Sequence, residues 1–109
     1  EYVSAPQTIT SAGLLTLTHG LGEEPRFFDF FLVCVSADAG FSVGEKVTAN
    51  LNSSTSEITV FSTYSFTSSQ IFFRYSLRTQ PVFVCSNKNS GAKAELDSLK
   101  WKLVVRAYA

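Results

Sequence analysis

A hydrolytic nucleophile needs a base beside it, and this chain of 109 residues offers one imidazole, His19. No Gly-x-Ser-x-Gly elbow presents a serine to it, so acyl transfer is not expected. Paired carboxylates could cleave a glycosidic bond, but Glu23 and Glu24 lie in turn sequence and Glu95 and Asp97 in a polar stretch, where solvated charge explains them. Cys34, Cys85 and His19, without CxxC or HxxxH spacing, fall short of a four-ligand zinc site. His19 could serve as one of three symmetry-related ligands on a three-fold axis, but a hydrogen bond within its own turn is the plainer role. No glycine loop has the lysine and following helix that cradle a phosphate. The expectation is a protein that is not an enzyme and holds no metal or cofactor.

Recognition of a partner needs less. Tyr64, Arg74, Tyr75, Arg78, Arg106 and Tyr108 combine stacking area with hydrogen-bond donors, the equipment for gripping a sugar. Each of the six also fits a cross-strand pair on an exposed sheet face. Asp29 reads as a strand acid paired with Arg74 or Arg106. Cys34 and Cys85 each stand in an apolar run, where two packed thiols are favoured over a disulfide. Asn52-Ser53-Ser54 matches a glycosylation acceptor, a pattern frequent by chance.

The elements that must position these residues are strands. Ten phenylalanines, with serine and threonine at nearly a quarter of the chain, favour pleated, half-buried surfaces. Strands are expected over 7–10, 14–18, 27–35, 46–49, 57–63, 70–77, 82–85 and 99–108, separated by turn signals at 11–13, 20–25, 38–40, 52–56 and 87–91. The one helical candidate is 92–98, a turn or two at most or a loop. This spacing predicts an all-β chain folded as a single antiparallel β-sandwich over 1–109, with about seven or eight strands, jelly-roll-like or H-type-lectin-like. In the last strand Leu99, Trp101, Leu103, Val105 and Ala107 alternate with Lys100, Lys102, Val104, Arg106 and Tyr108, so one face is core and the other mostly polar. The run 27–35 differs. Phe28, Phe30, Leu32 and Cys34 point one way, while Phe27, Phe31, Val33 and Val35 point the other around Asp29, so both faces are apolar. A strand apolar on both sides is covered by a loop or by another subunit, which marks Phe27, Phe31 and Val33 as candidate oligomer contacts. Gly20, Gly22 and Pro25 form a stiff corner that sets where Phe27 begins.

Nine basic residues balance nine acidic ones, which disfavours nucleic acid as the main partner and leaves little repulsion against self-association. The longest apolar run has nine residues, against about 20 for a membrane helix, so membrane insertion is not expected. No basic segment followed by an apolar one stands at the start, so secretion by that route is not expected. A chain that begins at Glu1 and contains no methionine is expected to be a processed form or a domain of something longer.

Three segments carry a resemblance. Gln7-Thr8-Ile9-Thr10-Ser11-Ala12-Gly13-Leu14-Leu15-Thr16-Leu17-Thr18-His19-Gly20-Leu21-Gly22-Glu23-Glu24-Pro25 resembles a stretch of the small β-domains of tailed-bacteriophage virion proteins, often found at the ends of tail fibres. Gly40-Phe41-Ser42-Val43-Gly44-Glu45 is similar to a turn of those domains, and Trp101-Lys102-Leu103-Val104-Val105-Arg106-Ala107-Tyr108 to the way they finish. Together these cover about a third of the chain, and the middle, 51–84, adds nothing. The resemblance implies a virion structural protein, commonly a homotrimer among other virion proteins, exposed on the particle after synthesis in a host cytoplasm. One expectation is a fibre-tip domain for host attachment, with a host-surface glycan among its partners. The other is a capsid decoration subunit that caps or cements the shell.

Overall fold

Alternation of side chains decides the architecture. In the computed structural model, which describes residues 1–48, 51–54, 59–77 and 83–109, twelve short strands and one 3-10 turn follow one another. They are β1 (Tyr2–Val3), β2 (Gln7–Thr8), β3 (Leu14–Thr18), β4 (Phe27–Cys34), β5 (Lys46–Val47), β6 (Asn52–Ser54), β7 (Thr59–Phe61), β8 (Thr63–Phe66), β9 (Gln70–Arg74), β10 (Val84–Ser86), β11 (Lys93–Glu95) and β12 (Trp101–Tyr108). Every pairing is antiparallel. One sheet has β12 at its centre, with β1 and β2 on one side and β4 then β5 on the other, and a second sheet runs β3-β9-β8. Two hairpins, β6-β7 and β10-β11, complete an all-β, sandwich-like fold.

The β4-β12 ladder has eight paired positions, from Trp101 opposite Cys34 to Tyr108 opposite Phe27. Its inner face carries Leu32, Cys34, Trp101, Leu103, Val105 and Ala107, all buried. Ile71 and Phe73 of β9 face them from the second sheet, and aromatic rings close the space between, with Phe30 edge-on to Phe73 at 5.3 Å and Phe41 edge-on to Trp101 at 5.7 Å. Ser4 joins β1 to β2 along the same side of β12. Its N–H donates to the Val105 carbonyl, and its hydroxyl accepts from the Val105 N–H, both at 2.9 Å.

The strand expectations hold for 14–18, and 27–35 ends one residue early, at Cys34. Elsewhere they shift. The helical candidate 92–98 is instead strand β11, whose Lys93, Ala94 and Glu95 alternate out, in and out against β10, followed by a 3-10 turn at Ser98–Lys100. Asp97 caps that turn by accepting the Leu99 N–H at 3.0 Å. Leu99 consequently leaves the expected core face and stands 83% exposed. The turn expected over 52–56 gives way to β6 at Asn52–Ser54, and 55–58 lie outside the described residues. The expected strand 57–63 becomes β7 and the start of β8, broken at the buried Ser62. Both cysteines are free, Cys34 buried and Cys85 half-buried.

The corner at His19 is built as its residues suggest. Gly20 and Gly22 take positive φ, 65° and 80°. The buried His19 accepts the Leu21 N–H at Nδ1 (3.1 Å), which leaves Nε2 to carry the proton and donate to the Thr67 carbonyl at 2.9 Å. One neutral tautomer therefore ties this corner to the β8-β9 turn.

Two clasps hold the opposite end. Asp38 Oδ2 accepts from Trp101 Nε1 and from the Asp97 N–H, both at 3.0 Å, which fixes the turn at Ala39 and Gly40 against β12. Glu45 accepts from the Lys88 ammonium at 2.8 Å and the Ser42 N–H at 3.0 Å, and the Lys88 hydrogen bond foremost holds its carboxyl below the usual range. Gly40 has φ +83°, and a Cβ there would approach the Asn89 side chain at 2.9 Å, so the two turns meet without room for a side chain.

Two expectations follow. Asp38→Ala leaves the indole N–H of Trp101 buried without an acceptor and lowers stability by about 1–3 kcal/mol. Because Trp101→Phe costs stability through a cavity of its own, the double variant should lose less than the two single losses together, as urea denaturation will measure. Because the Glu45 carboxyl is lowered in the folded state, its clasp contributes above the ordinary carboxylate pKa of about 4.3 and is lost as pH falls through the lowered value. Melting temperature followed into acid should therefore fall less steeply for Glu45→Gln than for the parent chain.

Candidate functional site

The outer face of the β4-β12 pair is where candidate residues meet. Because side chains alternate, cross-strand neighbours there are Phe27 with Tyr108, Asp29 with Arg106, Phe31 with Val104 and Val33 with Lys102. Val3 of β1 lies beside Arg106, and Lys46 of β5 beside Val33. The face is a band of apolar side chains crossed by one ion pair. Arg106 grips Asp29 with two hydrogen bonds, Nε to Oδ1 at 2.8 Å and Nη2 to Oδ2 at 2.7 Å, and its guanidinium lies 5.1 Å from the centre of the Phe31 ring. The bond to Asp29 raises the Arg106 pKa, and the two side chains form an ion pair within the face. Phe27 is 71% exposed, while Phe31 and Val33 are half-buried by their strand neighbours.

The six candidate contact residues do not converge. Arg106 and Tyr108 share the outer face. Arg74 ends β9, where its guanidinium donates to the Ala12 carbonyl at 2.9 Å, so the cation paired with Asp29 is Arg106 and Arg74 is occupied elsewhere. Tyr75 is a correction: only 2% exposed, it packs on Phe73 and Phe83 and its hydroxyl donates to the Thr8 carbonyl at 3.3 Å, which makes it a core residue. The phase of β9 carries the signal, since Ile71, Phe73 and Tyr75 fall on one side. Arg78 lies outside the described residues.

Tyr64 sits on the inner side of β8, its ring stacked on Phe28 at 4.4 Å and edge-on to Phe73 at 5.7 Å. Its hydroxyl is shielded from solvent and has no hydrogen-bond partner among the described residues. Burial, reinforced by the Asp29 carboxylate, pushes its pKa up. Beside it opens a groove of about 240 Å³ lined by Phe28, Asp29, Phe30, Thr48, Leu51 and Tyr64, which the sequence did not single out because it joins residues of distant strands. Among the described residues no three of His, Cys, Asp and Glu stand close enough to hold a metal ion, and no helix is long and apolar enough to cross a membrane.

The fold and this face define an antiparallel, sandwich-like β-domain whose outer sheet face exposes Phe27 and Val3 and half-buries Phe31 and Val33. Comparison with family models, with curated proteins and with solved structures finds no match to the chain.

The two tyrosines predict opposite responses to one substitution. Tyr64→Phe removes a buried hydroxyl without a partner and should leave stability unchanged or raise it. Tyr75→Phe removes a made hydrogen bond and should cost about 0.5–1.5 kcal/mol, both read from the denaturant midpoint at constant m-value.

Proposed function

We propose that this chain is a non-catalytic structural module of a bacteriophage virion surface, the tip domain of a fibre, assembled as a trimer through the outer face of β4 and β12. The observation that carries the assembly is the outer face of the β4-β12 pair, where Phe27 is exposed and Phe31 and Val33 are half-buried around a buried Val104, and whose only charges besides Lys102 are already paired with each other. Burying such a surface gains roughly 25 cal/mol per Å² of apolar area and leaves no unpaired Asp29 or Arg106 charge behind. The virion context rests on the ordered resemblance of 7–25, 40–45 and 101–108, and attachment to a host-surface molecule follows from that context. The zero formal net charge also suits close packing of identical copies. A capsid decoration subunit is the second reading, favoured by the same uncovered face, which would then pack on neighbouring shell proteins.

Light scattering on the purified chain tests the assembly. A mass of three chains is expected, falling to one chain for Phe27→Glu, a change at an exposed position, and staying at three for Leu14→Glu on the exposed start of β3. A parent chain that runs as a monomer at high concentration overturns the trimer.

A further inference from the structure

Residues 20–25 cross from β3 to β4 with one polar tie. Among the described residues their backbone makes a single hydrogen bond, from the Leu21 N–H to His19 Nδ1 at 3.1 Å. Both ends of the segment are pinned. The His19 N–H donates to the Ser69 carbonyl at 3.1 Å, and the Arg26 N–H to the Tyr108 carbonyl at 2.8 Å. Gly20 and Gly22, both at positive φ, flank Leu21, whose side chain is half-buried against the core. A segment with fixed ends, glycine on either side of its one tie and few bonds to break is the kind that opens locally without unfolding the chain.

The tie depends on the charge of one buried ring. Nδ1 accepts only while it carries no proton, whereas Nε2 donates to the Thr67 carbonyl at 2.9 Å in the neutral and the charged imidazole alike. A second proton therefore sets Nδ1–H against the Leu21 N–H, donor against donor, and leaves the bond to the β8-β9 turn made. Among the described residues no carboxylate pairs with the ring to hold the added charge. Glu23, Glu24 and Arg26 of the same corner are exposed, and Thr67, Ser68 and Ser69 facing it carry no ionisable group. We infer that the corner is an acid-released latch, in which protonation of His19 lets go of Leu21 and frees 20–25 while the ring stays on the Thr67 carbonyl and β4 keeps its pairing. A free imidazole changes charge near pH 6.5, so the latch is closed on the alkaline side and opens as pH falls.

Amide hydrogen exchange of the isotope-labelled chain tests this, read at Leu21 after correction for the intrinsic pH dependence of exchange and set beside the ring-nitrogen shifts of His19. The open corner binds one proton more than the closed one, so Leu21 protection should fall by up to about tenfold for each pH unit below about 6.5. The fall should track protonation of Nδ1, with Leu21 exchanging well before Val105 of β12, whose amide marks opening of the whole fold. His19→Gln keeps an acceptor and a donor but does not titrate, and should remove the dependence at Leu21; should that variant not fold, the parent chain decides alone. A ring still neutral when the whole chain unfolds in acid, a ring that takes up its proton with Leu21 protection unchanged, Leu21 exchanging only together with Val105, or the same dependence in a folded His19→Gln overturns the inference.

Discussion

The register of β4 on β12 is the constraint on which the rest depends. With Trp101 opposite Cys34 and Tyr108 opposite Phe27, every side chain of two eight-residue strands is assigned to one face. A slip by one residue would turn Leu103 and Val105 to solvent and bring Lys102 and Arg106 into the core. Burial of Trp101, Leu103, Val105 and Ala107 therefore selects the register, and the same choice places Phe27, Asp29, Phe31 and Val33 outside. Core and candidate contact face are two consequences of one pairing.

The polar groups that remain near the core are spent on holding loops to this ladder. Asp38 reaches the indole of Trp101, Ser4 bridges to Val105, and the Arg26 N–H donates to the Tyr108 carbonyl at 2.8 Å, so turns at both ends of the ladder are tied to β12. His19 plays the same part at the edge of the second sheet. Tyr64 and Ser98 are the exceptions among the described residues, each with a buried hydroxyl that has no partner.

Much of this was legible in the chain because period-two patterns survive wherever one face is fully buried. The alternation of 101–108, the doubly apolar 27–35 and the glycine corner after His19 each translate directly into position. Short strands were less legible. Lys93–Glu95 is too brief to show a period, and its charges read equally as helix or loop until β10 supplies the partner. Leu99 continues the alternation in sequence, but Asp97 caps a 3-10 turn that rotates it outward. Tyr75 looked like a contact residue by type alone, and its phase with Ile71 and Phe73 was the stronger signal. The groove had no sequence signature, because Phe28, Leu51 and Tyr64 meet only when both sheets are stacked.

The central claim is that the outer face of the β4-β12 pair packs on a second copy of this chain. Isotope-filtered NOE spectroscopy on a mixture of labelled and unlabelled chains observes such packing directly, because only contacts between copies give signals. The account predicts cross-peaks between copies from the side chains of Phe27, Phe31 and Val33. Cross-peaks confined to other surfaces, such as the exposed edge at Leu14, or none at all under concentrated conditions, would contradict it.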